Sequence, residues 1–203
     1  MSDDGSLVVV IDDHESVRLS LRALLESSGL EVKDYPSAIA YLEEDGGGDC
    51  VLVDLRMPHM TGLELQQELN KRNSSVPVIV ITGHGDVPLA VTAMRAGAFD
   101  FLEKPFEDDV LLDSIQRALA QGRKAHQTKS ESKAAAALIA ALTSREHEVL
   151  DHLVLGKSNK LIAHELGISP RTVETHRARL QEKLKARGLS DLVRLTRAVD
   201  QMH

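Results

Sequence analysis

Three aspartates, a threonine and a lysine stand where short apolar runs stop, and together they could carry phosphoryl chemistry. Residues 7–11 run into Asp12-Asp13, residues 50–53 into Asp54, residues 78–81 into Thr82, and residues 99–102 into Glu103-Lys104-Pro105. Three crowded carboxylates repel, so one must take up a proton or be neutralised by a cation. Oxygen donors that retain waters suit Mg²⁺ better than a transition metal, on the expectation that no His or Cys lies at these run ends. Asp54 is then the candidate nucleophile, Lys104 neutralises incoming phosphoryl oxygens and the Thr82 hydroxyl donates to another. This set points to in-line phosphoryl transfer to a carboxylate. Each residue alone has a plainer reading: Asp12-Asp13 as an acidic pair opening a helix, Thr82 as a satisfied strand-end hydroxyl, Lys104 as a surface lysine. Their agreement at four run ends favours the site.

For the four ends to converge, the runs must be parallel strands. Between them lie helical patterns: 15–28 through Val17, Leu21, Leu24 and Leu25, and 38–44 through Ala38, Ile39, Tyr41 and Leu42 after Pro36-Ser37. Further helices are expected over 62–71 through Leu63, Leu65 and Leu69, over 87–96 closed by Gly97, and over 107–121 through Val110, Leu111, Leu112, Ile115 and Leu119. With strands at 7–11, 30–35, 50–54, 76–82 and 99–102, strict βα alternation requires right-handed crossovers and a doubly wound α/β sheet of five parallel strands. The order 2-1-3-4-5 puts Asp12, Asp13 and Asp54 at the switch point between the first and third strands, where such sheets bind ligands.

The chain has 203 residues, 42% of them hydrophobic but only 2% aromatic, so its cores must be aliphatic. Its net charge of -7 is uneven: residues 1–122 hold 22 acids and 9 bases, residues 123–203 hold 9 acids and 15 bases. Opposite signs suggest two jobs, with a polyanionic partner for the basic half; a chance imbalance on solvated surface is the bland alternative. Cys50 is alone, which excludes an internal disulfide or a multi-cysteine zinc site and suits a small buried hydrophobe. Residues 1–6 are acidic and polar, unlike a secretory leader, and no apolar run approaches the roughly 18 residues of a membrane span. A cytoplasmic protein is expected.

Residues 122–133 are polar, with Arg123, Lys124, Lys129 and Lys133, and read as a linker before an alanine-rich helix over 134–142. Thr143-Ser144-Arg145-Glu146 is a capping box that opens a helix through Val149, Leu150, Leu153 and Val154, stopped by Gly156. A short helix over 158–166 follows, then a Gly167-Ile168-Ser169-Pro170 turn in which Ser169 caps a third helix. Two short helices joined by a glycine-containing turn have helix-turn-helix form. A packed helix pair without DNA is the alternative, and charge placement speaks against it. Val173, Leu180 and Leu184 mark the buried stripe of the third helix, leaving Arg171, Thr175, Ala178 and Glu182 outward with Glu174 and Arg179 on the flanks. Those positions, bordered by Lys160, Lys183 and Lys185, suit a helix lying in the major groove between phosphates. Arg177 falls near the stripe and could pair with a carboxylate such as Glu146 or reach a phosphate. His176 is expected to be packed and hydrogen-bonded.

Asp12-Asp13, Asp54 in Asp-Leu-Arg-Met-Pro-x-Met-x-Gly, Thr82 and Lys104-Pro105-Phe106 resemble the receiver domain of two-component response regulators, over residues 5–121. The stretches 82–88 and 100–109 further resemble the FixJ-type branch, whose best-known members control nitrogen-fixation and microaerobic genes. The resemblance implies that Asp54 accepts a phosphoryl group from a sensor kinase phosphohistidine. It implies Mg²⁺ held directly by Asp13, Asp54 and the Arg56 backbone carbonyl, with Asp12 in support. Thr82 and Phe101 would be a switch pair beside Lys104-Pro105, whose peptide bond would be cis. Residues 142–198 resemble the LuxR-type DNA-binding domain through Leu-Thr-x-Arg-Glu, Gly-Lys-Ser-Asn-Lys-x-Ile-Ala and Ile-Ser-Pro-Arg-Thr-Val-Glu-Thr-His-Arg. In that family Lys160 and Thr172 would touch phosphate, and Glu174 and Thr175 would approach bases. Leu189, Leu192, Val193 and Thr196 would pair two copies. Glu174 departs from the lysine frequent at its position across the wider family.

The expected organisation is thus a receiver domain over 5–121, a linker over 122–137 and a helix-turn-helix domain over 138–203. The expected function is a phosphorylation-activated transcription factor and not an enzyme. A sensor histidine kinase, promoter DNA and RNA polymerase are the expected partners, and phosphorylation is expected to pair two copies through Val91, Arg95, Phe101 and Leu112. A Mg²⁺-dependent phosphohydrolase turning over on Asp54, or a receiver with a protein-binding helical domain, are the alternatives. The absence of a further acid or base to activate water weighs against turnover.

Overall fold

The computed structural model describes residues 5–83 and 87–200, without the side chains of Val87 and Asp200. His84, Gly85 and Asp86, which belong to one of the quoted motifs, lie outside the described residues. Strands β1 (Leu7–Ile11), β2 (Glu31–Tyr35), β3 (Cys50–Asp54), β4 (Val78–Thr82) and β5 (Asp100–Glu103) alternate with five helices. These are α1 (Glu15–Ser27), α2 (Ala38–Glu43), α3 (Gly62–Lys71), α4 (Val87–Arg95) and α5 (Asp108–Ala140). Every strand pairing is parallel and the order is β2-β1-β3-β4-β5, as the alternation requires.

The central strands are buried on both faces, and the two-residue period of a strand sorts their side chains into two cores. Val9, Ile11, Val51, Val53 and Val80 face one core with Leu65, Leu69 and Ala93. Val8, Val10, Leu52, Ile79 and Ile81 face the other with Leu25, Leu111 and Ile115. β2 lies at the edge, where exposed Glu31 and Lys33 alternate with partly buried Val32 and Asp34, and its charged residues keep that edge polar. β4 begins two residues later than the apolar pattern predicts. Pro77 has no N–H for a ladder, although its carbonyl still accepts from Val51 N at 3.0 Å.

The largest difference from expectation is α5, which continues past Gln121 to Ala140. Gly122 costs a helix only about 1 kcal/mol against alanine, and residues 123–140 contain no proline to stop it. Pairs such as Gln127 Nε2 to Glu131 Oε1 at 2.9 Å support its exposed turns. The chain divides into two compact units, Met1–Ala125 and His126–His203, inside this helix.

The second unit adds α6 (Ser144–Val154), α7 (Asn159–Leu166), α8 (Pro170–Lys183) and α9 (Leu189–Asp200). Their core holds Val149, Leu150, Leu153, Ile162, Val173, Leu180, Leu184 and Leu192. Among the described residues no helix is long and apolar enough to cross a membrane.

Candidate functional site

The ends of β1, β3 and β5 bring their polar residues into direct contact. Lys104 Nζ lies 2.9 Å from Asp12 Oδ2 and 2.9 Å from Asp54 Oδ1. Asp12 is 2% exposed, and its Oδ1 accepts from His14 N at 2.8 Å. Asp54 Oδ2 accepts from Arg56 N at 2.8 Å, so the turn after β3 aims the carboxylate while Lys104 balances its charge. Burial pulls the Lys104 ammonium down, but its hydrogen bonds to Asp12 and Asp54 outweigh that and hold its pKa above the ordinary lysine value. Thr82 closes β4, buried, and its carbonyl accepts from Lys104 N at 2.7 Å. The Lys104-Pro105 bond is cis. Phe101 is partly buried and packs on the α3/α4 side of the sheet, while Pro105 is exposed.

Ligand atoms of Asp12, Asp13 and His14 lie within 4.8 Å of one another. The expectation that no histidine stands at these strand ends therefore fails: His14 Nδ1 is 3.0 Å from Asp13 Oδ1 and 3.4 Å from Asp12 Oδ1. Asp13 must start the turn into α1, and His14 at its N-cap is carried to the same rim. The donor set remains dominated by hard oxygens, from Asp12, Asp13, Asp54 and the backbone near Arg56. That chemistry fits a hard divalent cation such as Mg²⁺.

Gly62, which the sequence marked only as a motif glycine, is explained by close approach. Its N–H donates to Leu55 O at 3.1 Å, and a Cβ there would sit 2.7 Å from the Asp54 backbone oxygen. Relief would require moving the end of β3, because the obstacle is backbone. Gly62→Ala is expected to lower stability by about 1–3 kcal/mol, the usual cost of overpacking. Denaturant unfolding measures it, and an unchanged midpoint would contradict the contact.

In the second unit, sequence-local capping sets the helix-turn-helix angles. Ser158 Oγ accepts from Leu161 N, Gly167 turns left-handed at φ 64°, and Ser169 Oγ accepts from Thr172 N at 3.1 Å. Arg145 reaches from α6 to the Leu166 carbonyl at 3.1 Å and also pairs with Glu148. Val173, Leu180 and Leu184 are buried as predicted, and Arg171, Glu174, Thr175, Ala178, Arg179 and Glu182 are exposed on α8, as is Lys160 on α7. Thr172 is partly exposed, its hydroxyl 2.8 Å from that of Ser169. The Thr175 hydroxyl donates to Arg171 O at 3.0 Å, which leaves its oxygen free to accept.

Three details depart from expectation. Glu146 pairs with Lys183, the last residue of α8, at 2.7 Å and not with Arg177. This contact withdraws Lys183 from the set of free flanking cations. His176 is partly buried, but its Nδ1 has no hydrogen-bond partner among the described residues. Leu192, expected on a pairing surface, is 1% exposed and belongs to the core, because α9 needs that face to close the bundle. On α9 the outward apolar surface is Leu189, with Val193 half-buried. In the first unit Val91 and Arg95 are exposed on α4, and Leu112 is partly buried against the core.

Comparisons with known proteins follow the same division. The response regulator receiver domain family matches residues 8–116, and the luxR family of bacterial regulatory proteins matches residues 140–196. The transcriptional regulatory protein FixJ of Azorhizobium caulinodans is 51% identical over 93% of this chain and 90% of its own. FixJ of Bradyrhizobium diazoefficiens is 46% identical over 93% of each chain. Among solved structures, the response regulator StyR is similar with a TM-score of 0.83 and 41% identity, over 95% of this chain and 98% of its own.

Proposed function

Since the chain belongs to the FixJ-like response regulators, transcriptional regulators that join a receiver to a LuxR-type DNA-binding domain, we propose that phosphoryl transfer to Asp54 controls its binding to promoter DNA. The observation that carries this reading is the contact of one ammonium, Lys104, with both Asp54 and Asp12 at 2.9 Å. The donor is the phosphohistidine of a sensor histidine kinase. An Asp54 carboxylate oxygen attacks phosphorus, the P–O bond forms as the P–N bond breaks, and the departing imidazole takes a proton from solvent. Asp13, Asp54 and the Arg56 carbonyl would hold Mg²⁺ with Asp12 in support, and the bound cation would offset charge on the transferring phosphoryl oxygens. Lys104 stays beside the acceptor as the second positive charge. Thr82 then turns its hydroxyl toward the new phosphoryl group and Phe101 repacks, a population shift toward a pairing-competent state.

Residues 5–121 act as the receiver, 122–137 as the linker and 138–203 as the DNA-binding domain, with the protein working in the cytoplasm where promoter DNA and RNA polymerase are found. The test is retention of a promoter fragment after treatment with acetyl phosphate and Mg²⁺. A lasting acyl phosphate with tighter DNA retention is expected. Rapid multiple turnover of the phosphodonor without lasting incorporation would favour a hydrolase instead, and phosphorylation without any DNA affinity would favour a protein-binding role.

Val91, Met94 and Arg95 form an exposed, partly apolar face on α4, near Phe101 of β5 in the fold order. With Leu112, this face is the proposed receiver contact between two phosphorylated copies, and Leu189, Val193 and Thr196 are the proposed contact on α9. Light scattering with a phosphoryl mimic should report a doubled mass. An unchanged mass at concentrations well above those needed for DNA binding would remove this part of the reading.

On the DNA face, Lys160, Arg171, Thr172 and Arg179 are the proposed phosphate-facing set, and Glu174 and Thr175 the base-facing pair. Glu174 is acidic on a basic rim, so nonspecific attraction does not account for it, whereas accepting from cytosine N4 does. Glu174→Ala should relax preference at one base pair by roughly 1–3 kcal/mol. Lys160→Ala should weaken every sequence alike and reduce the salt slope by about one unit. Binding to single-base operator variants at several salt concentrations separates the two. Uniform tightening in Glu174→Ala would make that residue a repulsive bystander.

A further inference from the structure

We infer that Arg18, braced by Asp34, is a positioning residue that fixes the Asp12-Asp13 turn for its divalent cation; the inference rests on reading that turn as a metal site. Past Ile11 the β1 ladder ends, yet Asp12 is held at four points. Its N–H donates to Tyr35 O at 3.3 Å, and its two carboxylate oxygens accept from His14 N at 2.8 Å and Lys104 Nζ at 2.9 Å. Its carbonyl accepts from Arg18 Nη1 at 2.8 Å, a side chain standing in for the neighbouring strand.

Arg18 sits one turn into α1 with only 13% of its side chain exposed, and its Nε donates to Asp34 Oδ2 on β2 at 3.1 Å. One planar guanidinium thus ties the start of α1, the edge strand and the Asp12 peptide together. Its fixed fork serves the carbonyl and the carboxylate at once, which the single ammonium of a lysine cannot do from the same place. The Asp12 carbonyl belongs to the peptide plane that joins Asp12 to Asp13. Rotating that plane re-aims the Asp13 backbone and both carboxylates. Arg18 never needs to touch the cation to control where its ligands point, and losing an outer partner of this kind typically lowers metal affinity about 10- to 100-fold.

Arg22 supplies an internal control. It pairs with the same carboxylate, Nη2 to Asp34 Oδ1 at 2.6 Å, and with Glu26 at 3.6 Å, but its backbone contact is Val32 O at 3.5 Å and not Asp12. A general loss of charge pairing around Asp34 therefore differs from loss of the Asp12 contact.

The experiment titrates Mg²⁺ calorimetrically into the full chain and into Arg18→Ala, Arg18→Lys, Asp34→Asn and Arg22→Ala, with circular dichroism to establish folding. Arg18→Ala should weaken Mg²⁺ binding about tenfold or more, with partial recovery in Arg18→Lys and a smaller loss in Asp34→Asn. Arg22→Ala should stay within about twofold of wild type. In phosphorylation by acetyl phosphate, Arg18→Ala should raise the half-saturating Mg²⁺ concentration while the rate at saturating Mg²⁺ stays within about threefold. If Arg18→Ala does not fold, Arg18→Lys and Asp34→Asn decide by the same readout. Equal Mg²⁺ affinity across the folded variants overturns the inference, as does a fallen saturated rate with unchanged affinity. Wild type that binds no Mg²⁺ overturns the metal reading itself and the positioning role with it, so the two failures are distinguishable.

Discussion

Asp54→Asn takes up no phosphoryl group from acetyl phosphate, while wild type under the same conditions gains the mass of one. The amide is nearly isosteric with the carboxylate but offers no anionic oxygen to attack phosphorus, so the expected loss is complete and not graded. The surroundings sharpen the expectation, because both Asp54 oxygens face donors, Lys104 Nζ at 2.9 Å and Arg56 N at 2.8 Å. An amide presents one acceptor and one NH₂ group, so only one donor can be kept and the other is left facing hydrogens. An unmade bond of that kind costs about 1–3 kcal/mol. Removing one of three mutually repelling carboxylates offsets part of it. The variant should therefore remain folded, with a melting temperature within a few degrees of wild type, and Lys104 should lean onto Asp12. Intact-mass measurement reads the chemistry and a thermal melt reads the fold. Chelating divalent cations should abolish incorporation in wild type without altering its mass otherwise. Full incorporation in Asp54→Asn would move the acceptor to another residue.

Glu146→Gln should destabilise the second unit by about 2–3 kcal/mol at neutral pH, the scale of lost hydrogen bonds to a charged group. The carboxylate is 3% exposed and takes three donors on one oxygen, Lys183 Nζ at 2.7 Å, Thr143 N at 2.8 Å and Thr143 Oγ1 at 3.0 Å. It both closes the N-terminal cap of α6 and ties α6 to the end of α8. Lys183, foremost, and the Thr143 cap hold the Glu146 carboxyl down to about 2, against an ordinary 4.5. A depressed carboxyl stabilises the fold fully above its unfolded pKa and loses that contribution as pH falls through the folded value. The window here runs from about 4.5 down to about 2. Unfolding of wild type and Glu146→Gln followed by circular dichroism should thus show a constant gap above pH 5 that closes toward pH 2. A gap that persists at pH 2 would mean that Lys183 is not what stabilises the carboxylate.

The sheet was readable because β1, β3 and β4 are Val/Ile-rich runs that end on polar residues, and burial on both faces demands that pattern. The acidic pocket was readable for the same reason: the residues that finish the runs are the residues that meet. What escaped depended on geometry between distant elements. Gly62 is needed because a helix start passes the Asp54 carbonyl, a contact that no spacing announces. The partner of Glu146 depended on which basic residue of α8 reaches α6, and Arg177 and Lys183 are nearly alike in sequence terms. The length of α5 escaped for another cause. Hydrophobic periodicity reports which face is packed, and the largely exposed turns over 123–131 show none before Ser132 and Ala135 are buried again. Its disappearance after Gln121 marked the end of packing against the sheet and not the end of the helix. His14 was overlooked because strand-end logic stopped at Asp13, one residue short of the helix cap that brings it back.

Cys50, buried at the start of β3 with its thiol pushed up to about 12 by loss of solvent, has a practical consequence for spectroscopy. At neutral pH such a thiol stays protonated, and electrophiles react with thiolate. The native chain therefore presents maleimides and spin labels with no competing target, since its sole thiol is shielded by the sheet. A cysteine introduced on exposed α4 or α8 would carry a dye alone, without first replacing Cys50 and disturbing the core that it fills.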